Sequence, residues 1–137
     1  MIWPVENGMV AQKPTINYIN DILLEVGSVW VSDDRFFVTD PSFGAAIVSV
    51  TGTSVAEESH ITIADQAAIC WSAYDKRAGN VYAIDTGRNE ITVVDAKSGQ
   101  KTSTIMVSLP EIAQVPGLFD SVIVGGKMYS LAAASGS

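Results

Sequence analysis

The chain has 137 residues and a mass of 14.5 kDa, enough for one domain with a core of its own. Hydrophobic residues make up 47% and charged residues 17%, which excludes a disordered polyelectrolyte and suits a sheet-rich globular protein. The net charge is −7, and the eight Lys and Arg form no basic stripe, so nucleic acid is excluded as an expected partner.

The first 27 residues carry mixed signals. Ile2-Trp3-Pro4-Val5 reads as an edge strand, where proline is tolerated. Thr15 to Ile19 alternates polar and apolar residues and reads as a strand. Ile16, Ile19, Leu23 and Val26 also sit at helical spacing, so a short amphipathic helix stays open. From Ser28 onward strand signals dominate. Val29 to Val31, Arg35 to Thr39, Ala45 to Val50 and His60 to Ile63 are four short strands. Asp33-Asp34, Asp40 to Gly44 and Thr51 to Ser54 supply their turns.

The order then recurs. Ile69 to Tyr74, Val81 to Ile84, Glu90 to Asp95 and Lys101 to Val107 are four further strands joined by turns rich in Gly, Asn and Asp. Pro110 and Pro116 limit any helix between them to about one turn. Ser121 to Val124 and Lys127 to Ala132 form a β-hairpin on the tight turn Gly125-Gly126, and 133–137 should fray.

Residues recur along with the elements. Phe36 to Asp40 matches Val81 to Asp85, 45 positions on; Ile47 to Val50 matches Ile91 to Val94, and His60 to Ile63 matches Thr104 to Val107, both 44 positions on. A weaker third copy runs from Val122 to Leu131. A strand-built repeat of this length signals a propeller blade. The predicted fold is all-β and propeller-like, with about three four-stranded blades per chain. The expected organisation is a segment over 1–27 whose strands complete a blade, blades over 28–66 and 67–108, and a linker with half a blade over 109–137. Three blades do not close a ring. Either the chain is part of a longer propeller, or two chains pair head to tail into a six-bladed ring. In that C2 homodimer Ser121 to Ala132 of one chain would share a blade with the N-terminal strands of the other.

The run from Val81-Tyr82-Ala83-Ile84-Asp85 through Ile91-Thr92-Val93-Val94-Asp95 to Thr104-Ile105-Met106-Val107 resembles one YVTN-type β-propeller repeat. Asp85, and Asp40 in the earlier copy, stand where that pattern has its name-giving Asn. The resemblance spans residues 28 to 132 or so. It implies kinship with secreted or surface propellers and with lactonase-like ones, among them fungal proteins similar to muconate-cycloisomerising enzymes. It speaks to fold far more than to activity.

Candidate site residues are few. Trp30 and Trp71 lie in the first strands of successive blades, roughly one period apart; they read either as inter-blade packing or as an aromatic platform for a sugar ring or another small, flat ligand. Asp40 and Asp85 end equivalent strands. They read either as partners for turn backbone or, with Asn89 and Asp120, as oxygen ligands for Ca²⁺ in a shared channel. His60, the one histidine, lies beside Glu57 and Glu58 on an outermost strand. No nucleophile elbow, P-loop, dinucleotide fingerprint or EF-hand loop is present. No cofactor is expected, and no catalytic residue is assigned. Cys70 reads as a small buried hydrophobe, and a single cysteine cannot form an internal disulfide. No apolar stretch approaches the ~20 residues needed to span a bilayer. The start of the chain lacks signal-peptide character, which leaves the compartment open and is compatible with secretion after signal removal. The expected function is non-catalytic ligand binding or scaffolding, with a lactonase or cycloisomerase assembled across an oligomer as the alternative.

Overall fold

The computed structural model describes residues 1–108 and 117–132. Among them lie twelve strands in four antiparallel sheets, and no helix. Strands β1 (Val5–Glu6) and β2 (Met9–Val10) pair by themselves. Asn7 and Gly8 both adopt positive φ between them, which gives the tight turn that matches strand twist.

The first large sheet is a meander of β3 (Ser28–Trp30), β4 (Arg35–Asp40), β5 (Gly44–Thr51) and β6 (Ser54–Thr62). The second repeats it with β7 (Ile69–Asp75), β8 (Asn80–Asp85), β9 (Glu90–Asp95) and β10 (Lys101–Met106). Strands β11 (Leu118–Val124) and β12 (Lys127–Ala132) form a hairpin with positive φ at Gly125 and Gly126. All-β character and the strand order thus follow the sequence reading. The stretch between the two prolines and the end of the chain, 133–137, lie outside the described residues.

Three details differ. Strand β6 begins at Ser54, six residues before the expected start at His60. Its residues alternate exposed and half-buried, and a bulge admits Glu58 between Glu57 and Ser59. Both glutamates are accommodated in the strand by partners, Glu58 exposed and paired with Arg35, Glu57 half-buried and beside His60. Thr15 to Ile19 is neither strand nor helix. Only Thr15 bridges to Ile2, because the segment beyond it is held by side chains instead of a ladder. Ladder register also aligns β5 with β9 at a spacing of 46, since Phe37 pairs with Ile47 and Tyr82 with Val93. Loop 86–89 is one residue longer than loop 41–43, which raises the spacing from 45 at β4 and β8 to 46 at β5 and β9, two more than the 44 read from the sequence. A two-residue slip leaves every side chain on its original face.

The sheets stack in one direction. Phe37, Ala45, Ile47 and Ile61 from one face of the first sheet share a core with Ile69, Val81, Ala83 and Val94 of the second. The other face of the second sheet carries Tyr82, Ile84 and Ile91, which pack with Leu118 and Met128 of the hairpin. By register, Phe37 corresponds to Tyr82 and Thr39 to Ile84, so the same forward face is covered each time by the next sheet. Hydroxyls cross both joints: Thr39 Oγ1 donates to the Cys70 carbonyl and Thr86 Oγ1 to that of Leu118, each at 3.0 Å. The back face of the first sheet, with Val38, Ala46 and Val48, is covered by Ile19 and Ile22.

Candidate functional site

Two buried carboxylates organise the strand ends. Asp40 and Asp85 terminate β4 and β8 and are 0% and 3% exposed. Asp40 Oδ2 accepts the amides of Leu23 and Leu24 at 2.7 and 2.8 Å. Its Oδ1 accepts the amide and hydroxyl of Ser42. Asp85 repeats the pattern, with Oδ2 on the Ala67 amide and Oδ1 on the amides of Ala68 and Gly87. Each carboxylate therefore latches the segment that leads into its sheet, 16 to 18 residues upstream, and also closes its own turn. Burial alone would raise the Asp40 pKa, but the Ser42 hydroxyl and the Leu24, Ser42 and Leu23 amides together hold it below its ordinary value. Donors already occupy both oxygens of each pair, which is the turn-backbone reading, extended to a distant segment. In the third copy Ala132 stands at the corresponding strand end, so the latch is not repeated.

The two tryptophans face opposite ways. Trp30 pairs with Phe36, and its register counterpart is Tyr74, which pairs with Val81. Trp71 pairs with Ile84 beyond a bulge and packs, half-buried, into the joint with the hairpin. The structure does not bring them together. Trp30 instead lies on the back face of the first sheet, 57% exposed, with its ring 5.4 Å from that of Phe36.

Around Trp30 lies a groove of about 480 Å³ between this sheet and the N-terminal segment. Trp3 and Tyr18, both exposed, add two aromatic rings, and Asn17, Glu25 and Ser28 add polar groups. Asn17 Nδ2 donates to the Thr53 carbonyl at 2.9 Å, tying the segment to the β5–β6 turn. The groove thus combines aromatic walls with a few hydrogen-bonding groups, the chemistry suited to a sugar ring, a planar molecule or an aromatic side chain. Sequence reasoning found Trp30 but missed Trp3 and Tyr18 as its companions. They approach it because the Asp40 latch at Leu23 and Leu24, the packing of Ile19 and Ile22 and the Asn17 bond to Thr53 together hold their segment across the sheet.

His60 lies elsewhere, in an open cleft of about 840 Å³ with Asp21, Glu57 and Glu58. Its ring stacks on Phe43 at 4.0 Å and its Nδ1 is 2.9 Å from Glu57. Glu58 is paired with Arg35 at 2.6 Å. Among the described residues no three His, Cys, Asp or Glu side chains converge to hold a metal. Asn89, at φ 50° in the β8–β9 turn, accepts the amide of Gly117, 28 residues on, and so ties that turn to the residue entering β11. No helix among the described residues is long and apolar enough to cross a membrane.

No protein-family model matches this chain, and no curated protein matches it either.

Proposed function

We propose that this chain is a non-catalytic binding or scaffold protein built on a partial β-propeller, with the Trp30 groove as its binding surface. Sheets stacked in one sense, the two four-stranded ones each latched by an aspartate at the second strand end, support the propeller reading and its likeness to the YVTN-type repeat. The observation that carries the binding reading is the exposed aromatic groove, where Trp30, Trp3 and Tyr18 face solvent beside Asn17, Glu25 and Ser28. Large apolar groups left exposed together mark an interaction surface. A sugar ring, a planar small molecule or an aromatic side chain presented by a partner fits that chemistry, and self-association belongs to the same reading. Neither a metal nor a cofactor is needed for it.

The test is a titration of tryptophan emission with a panel of oligosaccharides and planar aromatic compounds, in wild type and in Trp30→Ala. Saturable quenching that Trp30→Ala abolishes supports the reading. Turnover of a lactone by the purified protein, lost on chelation, would favour the lactonase-like alternative instead.

A further inference from the structure

The groove beside Trp30 carries charge of one sign. It lies where the N-terminal segment crosses the first sheet, with Ile19 and Ile22 packed over Val38 and Val48. Among the described side chains that line it Glu25 alone is charged, and neither Lys nor Arg is present. Glu25 is exposed and takes part in no ion pair among the described residues. The glutamates of the other cleft differ on this point, since Glu57 lies against His60 and Glu58 against Arg35.

The rings add to the same field. An aromatic face is the negative end of a quadrupole and attracts a cation set over it. Trp30 and Phe36 are cross-strand partners whose rings sit 5.4 Å apart and tilted by 58°, which makes an aromatic corner. Trp3 and Tyr18 line the same groove from the N-terminal segment. The net charge of −7 draws cations to the molecule from further off. The remaining walls are largely aliphatic, with Ile2, Val50 and Val55 among them. A metal ion or a bare ammonium would lose its water there without replacement, whereas an alkylated nitrogen has little water to lose. The volume of about 480 Å³ is that of a small-molecule site.

We infer that the groove takes a small, weakly hydrated organic cation, an N-alkylated planar ring that stacks on Trp30 while Glu25 balances its charge. This inference rests on the binding reading and narrows the ligand class of that groove.

The experiment is calorimetric titration of the full chain, at low salt, with N-methylquinolinium and with quinoline, which is neutral at pH 7 and has the same ring system. Wild type, Glu25→Gln, Trp30→Ala and Trp30→Phe are compared. Both side chains are exposed, so unchanged melting temperatures are expected, and Trp30→Phe keeps a ring in place. The cation should bind about ten-fold more tightly than quinoline. Trp30→Ala should weaken it by about ten-fold, and Trp30→Phe should retain most of the affinity. Glu25→Gln should weaken the cation by about three-fold and leave quinoline unchanged. Quinoline bound as tightly as the cation, with both lost in Trp30→Ala, would overturn the inference and leave the binding reading standing. Cation binding indifferent to Glu25→Gln and Trp30→Ala alike would reflect attraction to the acidic surface as a whole and would also overturn it. No binding of either compound or of any oligosaccharide would remove both.

Discussion

Replacing Asp40 by Ala removes the acceptor for three backbone amides and one hydroxyl in a single step. The side chain is fully buried, yet its donors lie in part-buried loop backbone that water can reach after modest movement. Leaving a buried donor unsatisfied costs about 1–3 kcal/mol, and two of the four are expected to find water, which gives about 3 kcal/mol in total. That is a large share of the 5–15 kcal/mol typical of a domain, and corresponds to roughly 10 °C in melting temperature. The assay is paired urea and thermal unfolding of wild type and Asp40→Ala, with hydrogen exchange at Leu23 and Leu24. Those two amides should lose protection first, and the cover that Ile19 and Ile22 provide over Val38 and Val48 should loosen with them. The pH dependence has a fixed sign. The folded pKa of Asp40 lies below the ordinary 3.8, so its stabilisation is complete above that value and is lost as pH falls through the folded pKa. Asp40→Ala should therefore show a flatter acid limb. A variant within about 0.5 kcal/mol of wild type, the scatter of ordinary surface substitutions, or one with undiminished protection at Leu23 and Leu24, would refute the latch.

Three further outcomes follow from individual contacts. Gly27→Ala should destabilise by about 2 kcal/mol in urea unfolding, because a Cβ there would collide with the Cys70 carbonyl and crowd the Trp71 backbone. Ser72→Ala should be neutral or slightly stabilising by thermal melt, since the Ser72 hydroxyl is buried without a hydrogen-bond partner among the described residues and its removal strands none of their groups. Cys70 should alkylate slowly at neutral pH in the native protein and rapidly in urea, because burial, with the Asp85 charge adding to it against a lowering contribution from Thr86, raises the thiol pKa above its ordinary value.

Much of the fold was legible because its signals are local. β-branched and aromatic runs of five or six residues, separated by Gly, Asn and Asp turns, specify a meander, and β8 to β10 fall close to where those runs lie. The hairpin β1–β2 escaped notice although Asn7-Gly8 is a strong turn signal, since two-residue strands leave no alternation to read. The sequence reading starts β6 only at His60 because Glu57 and Glu58 resemble a turn in sequence, whereas in space Glu58 is exposed at a bulge and Glu57 is half-buried beside His60. The tryptophans show a different limit. Side-chain direction alternates every residue, so the bulge between Ile69 and Trp71 decides which way Trp71 points, and composition cannot reveal a bulge. The aspartates were recognised as turn formers, but their bonds to amides 16 to 18 residues upstream are long-range and leave no local pattern. The groove is a product of that latch and of the long-range packing of Ile19 and Ile22, which is why Trp30 was a candidate in the sequence but Trp3 and Tyr18 were not its companions there.

The central claim is that the Trp30 face is a surface made to be covered. The most direct measurement is the emission of a Trp3→Phe, Trp71→Phe variant, in which Trp30 is the sole tryptophan, recorded as oligosaccharides and planar aromatic compounds are added. The account predicts a solvent-exposed spectrum without ligand that shifts to the blue and saturates as a ligand of that chemistry is added. A spectrum that stays red with every compound of the panel would contradict it.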